Sequence, residues 1–333
     1  MAISFGYGFD MRNPREWHRP WPDLYAEHLD FIRLIEGLGF QAVRFAEHHG
    51  TDDGYLPSPL TMCAAVAART DRIRVSPGIA LAPFYHPVRL AEDMAVLDII
   101  SGGRAELCVG IGYLKDEAEA FGFPFGSRGR IADELLHIVR RLWQGDSVTF
   151  DGAFFRISDA RVTPLPVQPQ GIPIFVGGAT AAGYRRAARL GDGYIGPVEG
   201  FAPYVAELRA CGKDENAARL ISMGADDLWF LVSEDPEKTI SEVAPHAHYQ
   251  YITYAKWQAG ADWSPFAQMD LEAFKKSGAL KVLTPADAVA HIRTKLAVAP
   301  IESLCLHAPA GFPLSKLAEH AELFAAKVMP AFR

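Results

Sequence analysis

Short runs of β-branched and aromatic residues alternate along the chain with longer stretches whose apolar residues recur at helical spacing, and this alternation restricts the fold more than any other feature. Strand candidates fall at residues 3–9, 42–46, 73–82, 105–110, 174–177, 193–195, 228–232 and 303–307. Helical stretches lie at 23–38, 58–69, 88–100, 128–143, 181–190, 201–210, 236–243, 285–296 and 314–328. In the first of these, Leu24, His28, Phe31, Ile32, Ile35 and Leu38 form one apolar stripe, and Gly37 and Gly39 stop the helix. A strand, a helix and a second parallel strand cross over right-handedly, so eight such units close naturally into a ring. The expectation is an α/β fold, a (β/α)8 TIM barrel over residues 1–333, in preference to an open doubly wound sheet. Length alone would also permit two domains.

Two segments break the rhythm. Residues 145–172 hold Val148-Thr149-Phe150-Asp151-Gly152-Ala153-Phe154-Phe155, two short strands about an Asp-Gly turn, followed by a connector with Pro164, Pro166 and Pro169. This reads as a hairpin inserted on the barrel rim. Residues 244–283, a long insertion before the last strand, carry Tyr249, Tyr251, Tyr254, Trp257, Trp263 and Phe266. That is too long for a plain connector and too aromatic for a disordered one. A lid or substrate wall is expected there, with outer packing or a dimer contact as the alternative.

Composition narrows the function classes. An apolar share of 49% against 22% charged residues suits a globular chain with a large core. The net charge of −7 comes without any long run of one sign, so a polyanion would find no basic stripe, and nucleic acid is not an expected partner. No basic leader precedes the first apolar residues and no apolar stretch approaches a membrane span, which gives a cytoplasmic expectation with no membrane partner. Cys63, Cys108, Cys211 and Cys305 lack C-x-x-C spacing and read as small buried hydrophobes.

Reactive groups in such a barrel gather where the C-terminal ends of the strands meet the following loops. That end would bring together Glu47, His48 and His49, then Ala82-Pro83, Gly110-Ile111-Gly112, and Gly177-Gly178-Ala179-Thr180. The last lies between an apolar strand and a helix start, where free N–H groups and the helix dipole suit a phosphate; a strand-to-helix turn can also need glycine for geometry alone. Gly110-x-Gly112 lacks the third glycine of a dinucleotide fingerprint. Adjacent His48 and His49 diverge on an extended strand end, so one at most faces the mouth, and both could instead be satisfied by nearby carbonyls. No metal is expected, because the first strand offers Gly6-Tyr7-Gly8-Phe9 where many barrel metallohydrolases carry His-x-His. His86-Pro87 reads as a rigid entry to a helix on which Arg89, Glu92 and Asp93 form ion pairs.

Glu47-His48-His49, the run from His86 through Ala91-Glu92-Asp93, Ser101-Gly102-Gly103-Arg104, Gly110-x-Gly112 and the Gly177-Gly178-Ala179-Thr180 step stand in an order and spacing that resemble the bacterial luciferase-like flavin-dependent monooxygenases. The resemblance runs to about residue 196, and beyond that only the plan matches. It implies a reduced flavin across the barrel mouth, its phosphate held by Gly178, Ala179, Thr180 and Gly183. It implies a catalytic role for His48, preceded by Glu47, and a non-proline cis peptide at Gly78-Ile79, where glycine eases the geometry. Luciferase itself has a cysteine and an arginine at the positions of Gly110 and Ile111, so the phosphate grip here must differ. The resemblance further implies FMN-dependent oxygenation of a small organic substrate, with a partner flavin reductase and a homodimer. A sister branch binds the deazaflavin F420 for hydride transfer, and Arg128-Gly129-Arg130 with the preceding Phe-Gly-Phe-Pro-Phe also resembles its members. A catalytically silent flavin-binding subunit is the remaining alternative, and the retained His48 argues against it.

Overall fold

The computed structural model describes residues 3–224 and 228–333; Met1 and Ala2, part of the leader reading, lie outside them. The chain alternates as the sequence predicts. In order, its strands are β1 (Ser4–Phe9), β2 (Ala42–Phe45), β3 (Arg74–Pro77), β4 (Ala80–Leu81), β5 (Leu107–Gly110), β6 (Val148–Asp151), β7 (Arg156–Ala160), β8 (Ile174–Gly177), β9 (Gly193–Gly196), β10 (Leu220–Ser222), β11 (Trp229–Val232), β12 (Leu280–Leu283) and β13 (Ser303–His307). The helices are α1 (Trp21–Leu38), α2 (Pro59–Ala67), α3 (Pro87–Ser101), α4 (Lys115–Ala120), α5 (Arg128–Leu142), α6 (Ala181–Leu190), α7 (Phe201–Ala210), α8 (Pro236–Trp257), α9 (Leu271–Lys276), α10 (Pro285–Val298) and α11 (Leu314–Lys327).

The main sheet runs β3-β2-β1-β13-β10-β9-β8-β5-β4, with every neighbour parallel. β3 and β4 are two halves of one stave, separated by the cis peptide Gly78-Ile79 that the resemblance implies. A bridge from Val75 to Ala105 closes the ring, so the fold is an eight-staved TIM barrel. Inward positions of β1 are glycine for a steric reason. A Cβ on Gly8 would stand 2.7 Å from Nδ1 of His307, whose ring occupies that space from the last stave. Outside, α1 buries Leu24, His28, Phe31, Ile32 and Ile35 along one stripe and ends at Gly39 in the left-handed conformation.

Two sequence expectations need correction. The seventh stave is Leu220–Ser222, whereas the run expected there, 228–232, forms β11, which pairs with β12 in a separate two-stranded parallel sheet. Three residues are too few to carry a period, and Trp229–Val232 is apolar throughout because it is buried on every side. The helix expected to end at 243 continues to Trp257 through Pro245. Proline removes one N–H and crowds the preceding turn, but Val243, Ala244, His246, Ala247, Gln250 and Tyr251 all bury, and that packing outweighs the lost bond. Residues 244–257 of the aromatic 244–283 segment are therefore helix.

The 145–172 insertion contains the expected antiparallel hairpin, β6 with β7. It lies against α5, whose Glu134 carboxylate accepts the backbone N–H groups of Ala153, Phe154 and Phe155. Cys63, Cys108 and Cys305 are buried, but Cys211 is exposed at the end of α7 and is not a core hydrophobe. The ion pair on α3 is Arg89 with Asp93, at 2.8 Å. Among the described residues no helix is long and apolar enough to cross a membrane.

Candidate active site

The C-terminal ends of the strands and the last turn of α8 bring four side chains around one imidazole. His48, just past β2, is buried with 4% of its surface exposed. Its Nδ1 lies 2.8 Å from Glu117 Oε1 and its Nε2 lies 2.9 Å from the Tyr113 hydroxyl, so both ring nitrogens are hydrogen-bonded. Burial raises the Tyr113 hydroxyl well above the ordinary phenol range, so it stays protonated. The rings of Tyr55 and Trp257 each lie 4.7 Å from the His48 ring, and Tyr113 packs at 5.2 Å. Tyr55 and Tyr254 share a hydrogen bond of 3.0 Å between hydroxyls, and burial pushes Tyr254 up to about 12. Apolar and aromatic surroundings with a single buried acid–base chain suit proton transfer away from water.

Adjacent His49 diverges as expected. Its Nε2 meets Glu47 Oε1 at 3.1 Å, and its ring sits between Phe84 and Phe121. Glu47 is placed differently from a residue that offers its carboxylate to a ligand. Oε2 accepts the Leu81 N–H at 2.7 Å, and Oε1 accepts the Tyr85 hydroxyl at 2.9 Å as well as His49. Those bonds tie the end of β2 to the far half of the broken stave.

Gly78, Ile79, Gly110 and Gly177 form one packing unit. A Cβ at Gly110 or Gly177 would stand 2.9 or 2.7 Å from the side chain of Ile79, and one at Gly78 would meet Arg44 Cβ at 2.5 Å. The glycines in β5 and β8 thus admit Ile79, which packs on Cys108, Phe175, Ile195 and Ile221 in the barrel interior. Gly112 takes the left-handed conformation, φ 72°, and its carbonyl accepts Arg128 Nε at 3.1 Å. Gly178, Ala179 and Thr180 are exposed at the mouth ahead of α6. Thr180 caps that helix by accepting the Gly183 N–H, which leaves the first N–H groups of α6 without an intrahelical partner. Gly178 and Gly183 face each other so closely that a Cβ on either would stand 3.0 Å from the other's Cα. This turn fits a phosphate group: small, open and lined with donors.

Sequence reasoning misses Tyr113, Glu117 and Tyr55. The first two follow His48 by 65 and 69 residues, and no local spacing links them to it. Tyr113 directly follows Gly110-x-Gly112, and that adjacency is its one signal in the sequence.

The family model described as luciferase-like monooxygenase matches residues 5–298. An F420-dependent glucose-6-phosphate dehydrogenase of Microbacterium testaceum is 32% identical over 176 residues, 51% of this chain and 52% of that protein. An FMNH2-dependent dimethylsulfone monooxygenase of Pseudomonas putida is 29% identical over 216 residues, 62% of this chain and 58% of that protein. The chain thus spans little more than half the length of these relatives. A monooxygenase of known structure from Streptomyces bottropensis superposes with a TM-score of 0.80 at 26% identity, over 99% of this chain and 100% of that one. A match across nearly the whole barrel, including the broken third stave and the Glu47-His48-His49 strand end, makes this chain a member of the luciferase-like monooxygenase family.

Proposed function

We propose that this protein is a monooxygenase that uses reduced FMN and dioxygen to oxygenate a small organic substrate. The observation that carries the reading is the buried Tyr113–His48–Glu117 chain at the strands' C-terminal end, walled by Tyr55 and Trp257. Bound reduced flavin supplies the electrons that activate dioxygen. The protein's residues bind, exclude water and move a proton. Gly178, Ala179 and Thr180 hold the phosphate through backbone N–H groups, Gly183 leaves room for it beside Gly178, and Gly78-Ile79 with Gly110, Gly112 and Gly177 shape the backbone beneath the ring. Tyr113 lines a cleft of ≈ 760 Å³ that also touches His49, Glu117 and Trp257, whereas His48 lies behind Tyr113 and Glu117 and does not line it. A proton can therefore pass between the cleft and His48 by way of the Tyr113 hydroxyl on one side of the ring or the Glu117 carboxylate on the other, both of which line the cleft. The aromatic part of the 244–283 segment supplies the substrate wall.

Because such an enzyme takes its flavin already reduced, a separate flavin reductase is the required partner. The reading includes a homodimer, supported by the exposed Val96 and Ile100 of α3, which share a groove with Phe121. The test is a coupled incubation with NADH, FMN, a flavin reductase and a panel of aromatic and aliphatic carbonyl compounds under ¹⁸O2. Products that gain one heavy oxygen support the reading. Oxidation of an alcohol in the presence of F420 without oxygen uptake would assign the chain to the hydride-transferring branch instead.

A further inference from the structure

Arg12 follows the end of β1, and its guanidinium is closed off from solvent. Four rings surround it, with centroids at 4.9 Å for Tyr55, 5.1 Å for Trp257, 5.5 Å for Tyr249 and 5.6 Å for Tyr254. Three of these come from the C-terminal half of α8. Two of the four, Tyr55 and Trp257, are the rings that abut His48. Asp53 Oδ2 lies 3.0 Å from Arg12 Nε and also accepts the Tyr249 hydroxyl at 2.8 Å. Asp10 Oδ2 lies 3.9 Å from the same nitrogen and accepts the Gln250 amide at 2.6 Å. The two carboxylates that balance Arg12 therefore also hold α8.

Among the described residues none of the three guanidinium nitrogens makes a well-directed hydrogen bond to protein. The cation is retained by ring faces and by charge, not by the bidentate bonding that usually accompanies a buried arginine. A lysine would supply the charge. What a flat guanidinium adds is a surface against which several rings are registered at once.

We infer that Arg12 is a positioning residue for the His48 site: it sets Tyr55 and Trp257 against the imidazole and, through the same cage, docks the C-terminal half of α8 over the barrel mouth. The inference rests on reading the His48 mouth as the active site. The strand order puts β1 and β8 on opposite sides of the ring, four staves apart in either direction. The wall and the phosphate turn are therefore separable in an experiment.

Full-length Arg12→Lys and Arg12→Met proteins are compared with wild type by acrylamide quenching of Trp257, isolated by subtracting a Trp257→Phe background, by the NMR resonances of the His48 ring, and by reduced-FMN affinity. In both variants the quenching constant of Trp257 should at least double and the His48 resonances should move, while reduced-FMN affinity stays within threefold. Should Arg12→Met fail to fold, Arg12→Lys carries the test, because it keeps a cation between Asp10 and Asp53. An Arg12→Lys protein with wild-type quenching and wild-type His48 resonances overturns the inference. So does flavin affinity that falls in step with quenching, which would mark a general loosening. Failure of wild type to bind reduced FMN would instead remove the proposed function, and the quenching and His48 readouts, which need no flavin, would still decide the role of Arg12.

Discussion

The Tyr113 hydroxyl and the Glu117 carboxylate stand between His48 and the cleft, and that sets the residue-scale expectations. His48→Ala should lower turnover on an established substrate by roughly 10²-fold, the usual scale for one acid–base group, with flavin affinity within a few fold. Tyr113→Phe should lose a comparable amount, and the double variant little more than either single one, since both act along one hydrogen-bonded chain. His49→Ala should be mild, because its ring, although it lines the cleft, bonds to Glu47 between two phenylalanines and not to the imidazole of His48 or the Tyr113 hydroxyl. Full activity in Tyr113→Phe would route the proton by way of Glu117 instead. At this scale the sequence disclosed the strand-end histidine and the divergence of its neighbour. It did not disclose Tyr113, Glu117 or Arg12, whose meeting depends on closure of the ring.

At the scale of elements, the joints between staves carry most of the specific chemistry. Glu36, in the last turn of α1, accepts backbone N–H groups of Asp71, Arg72 and Ile73 at 3.0, 2.7 and 2.9 Å, and so fixes the turn that feeds β3. Burial raises its carboxyl, but those donors outweigh burial and hold it below the ordinary carboxylate range. A carboxyl lowered on folding stabilises above its unfolded pKa, and that contribution disappears as pH falls through the folded value. Glu36→Gln should therefore cost about 1–3 kcal/mol at pH 7, and the gap to wild type should narrow in acid, as urea midpoints at the two pH values would reveal. A gap independent of pH would mean that the carboxylate charge is not what the turn uses. Most elements were legible from period and punctuation, α1 and α6 among them. β10 was too short to register, and α8 was cut early because Pro245 is read locally while the packing that carries the helix past it is not.

The whole molecule combines a barrel legible from alternation with a mouth whose partners come from opposite ends of the chain: Arg12 from the first stave, Trp257 from a helix more than two hundred residues later. The exposed face of α3 bears on assembly. Ile100→Asp should shift the protein to a monomer in light scattering without loss of helix signal, since Ile100 is 46% exposed in the single chain. A dimer that survives the change would put the interface elsewhere. The central claim is that the His48 mouth holds reduced FMN with its phosphate at the turn before α6. An anaerobic titration of wild type and Gly178→Val with reduced FMN, FAD and F420 tests it directly. Tight binding of reduced FMN to wild type, weaker by at least about tenfold or 1.4 kcal/mol in Gly178→Val, is the predicted result, because the added side chain would strike Gly183 and block the backbone. Micromolar F420 binding without reduced-FMN binding, or a Gly178→Val protein with unchanged FMN affinity, would contradict it.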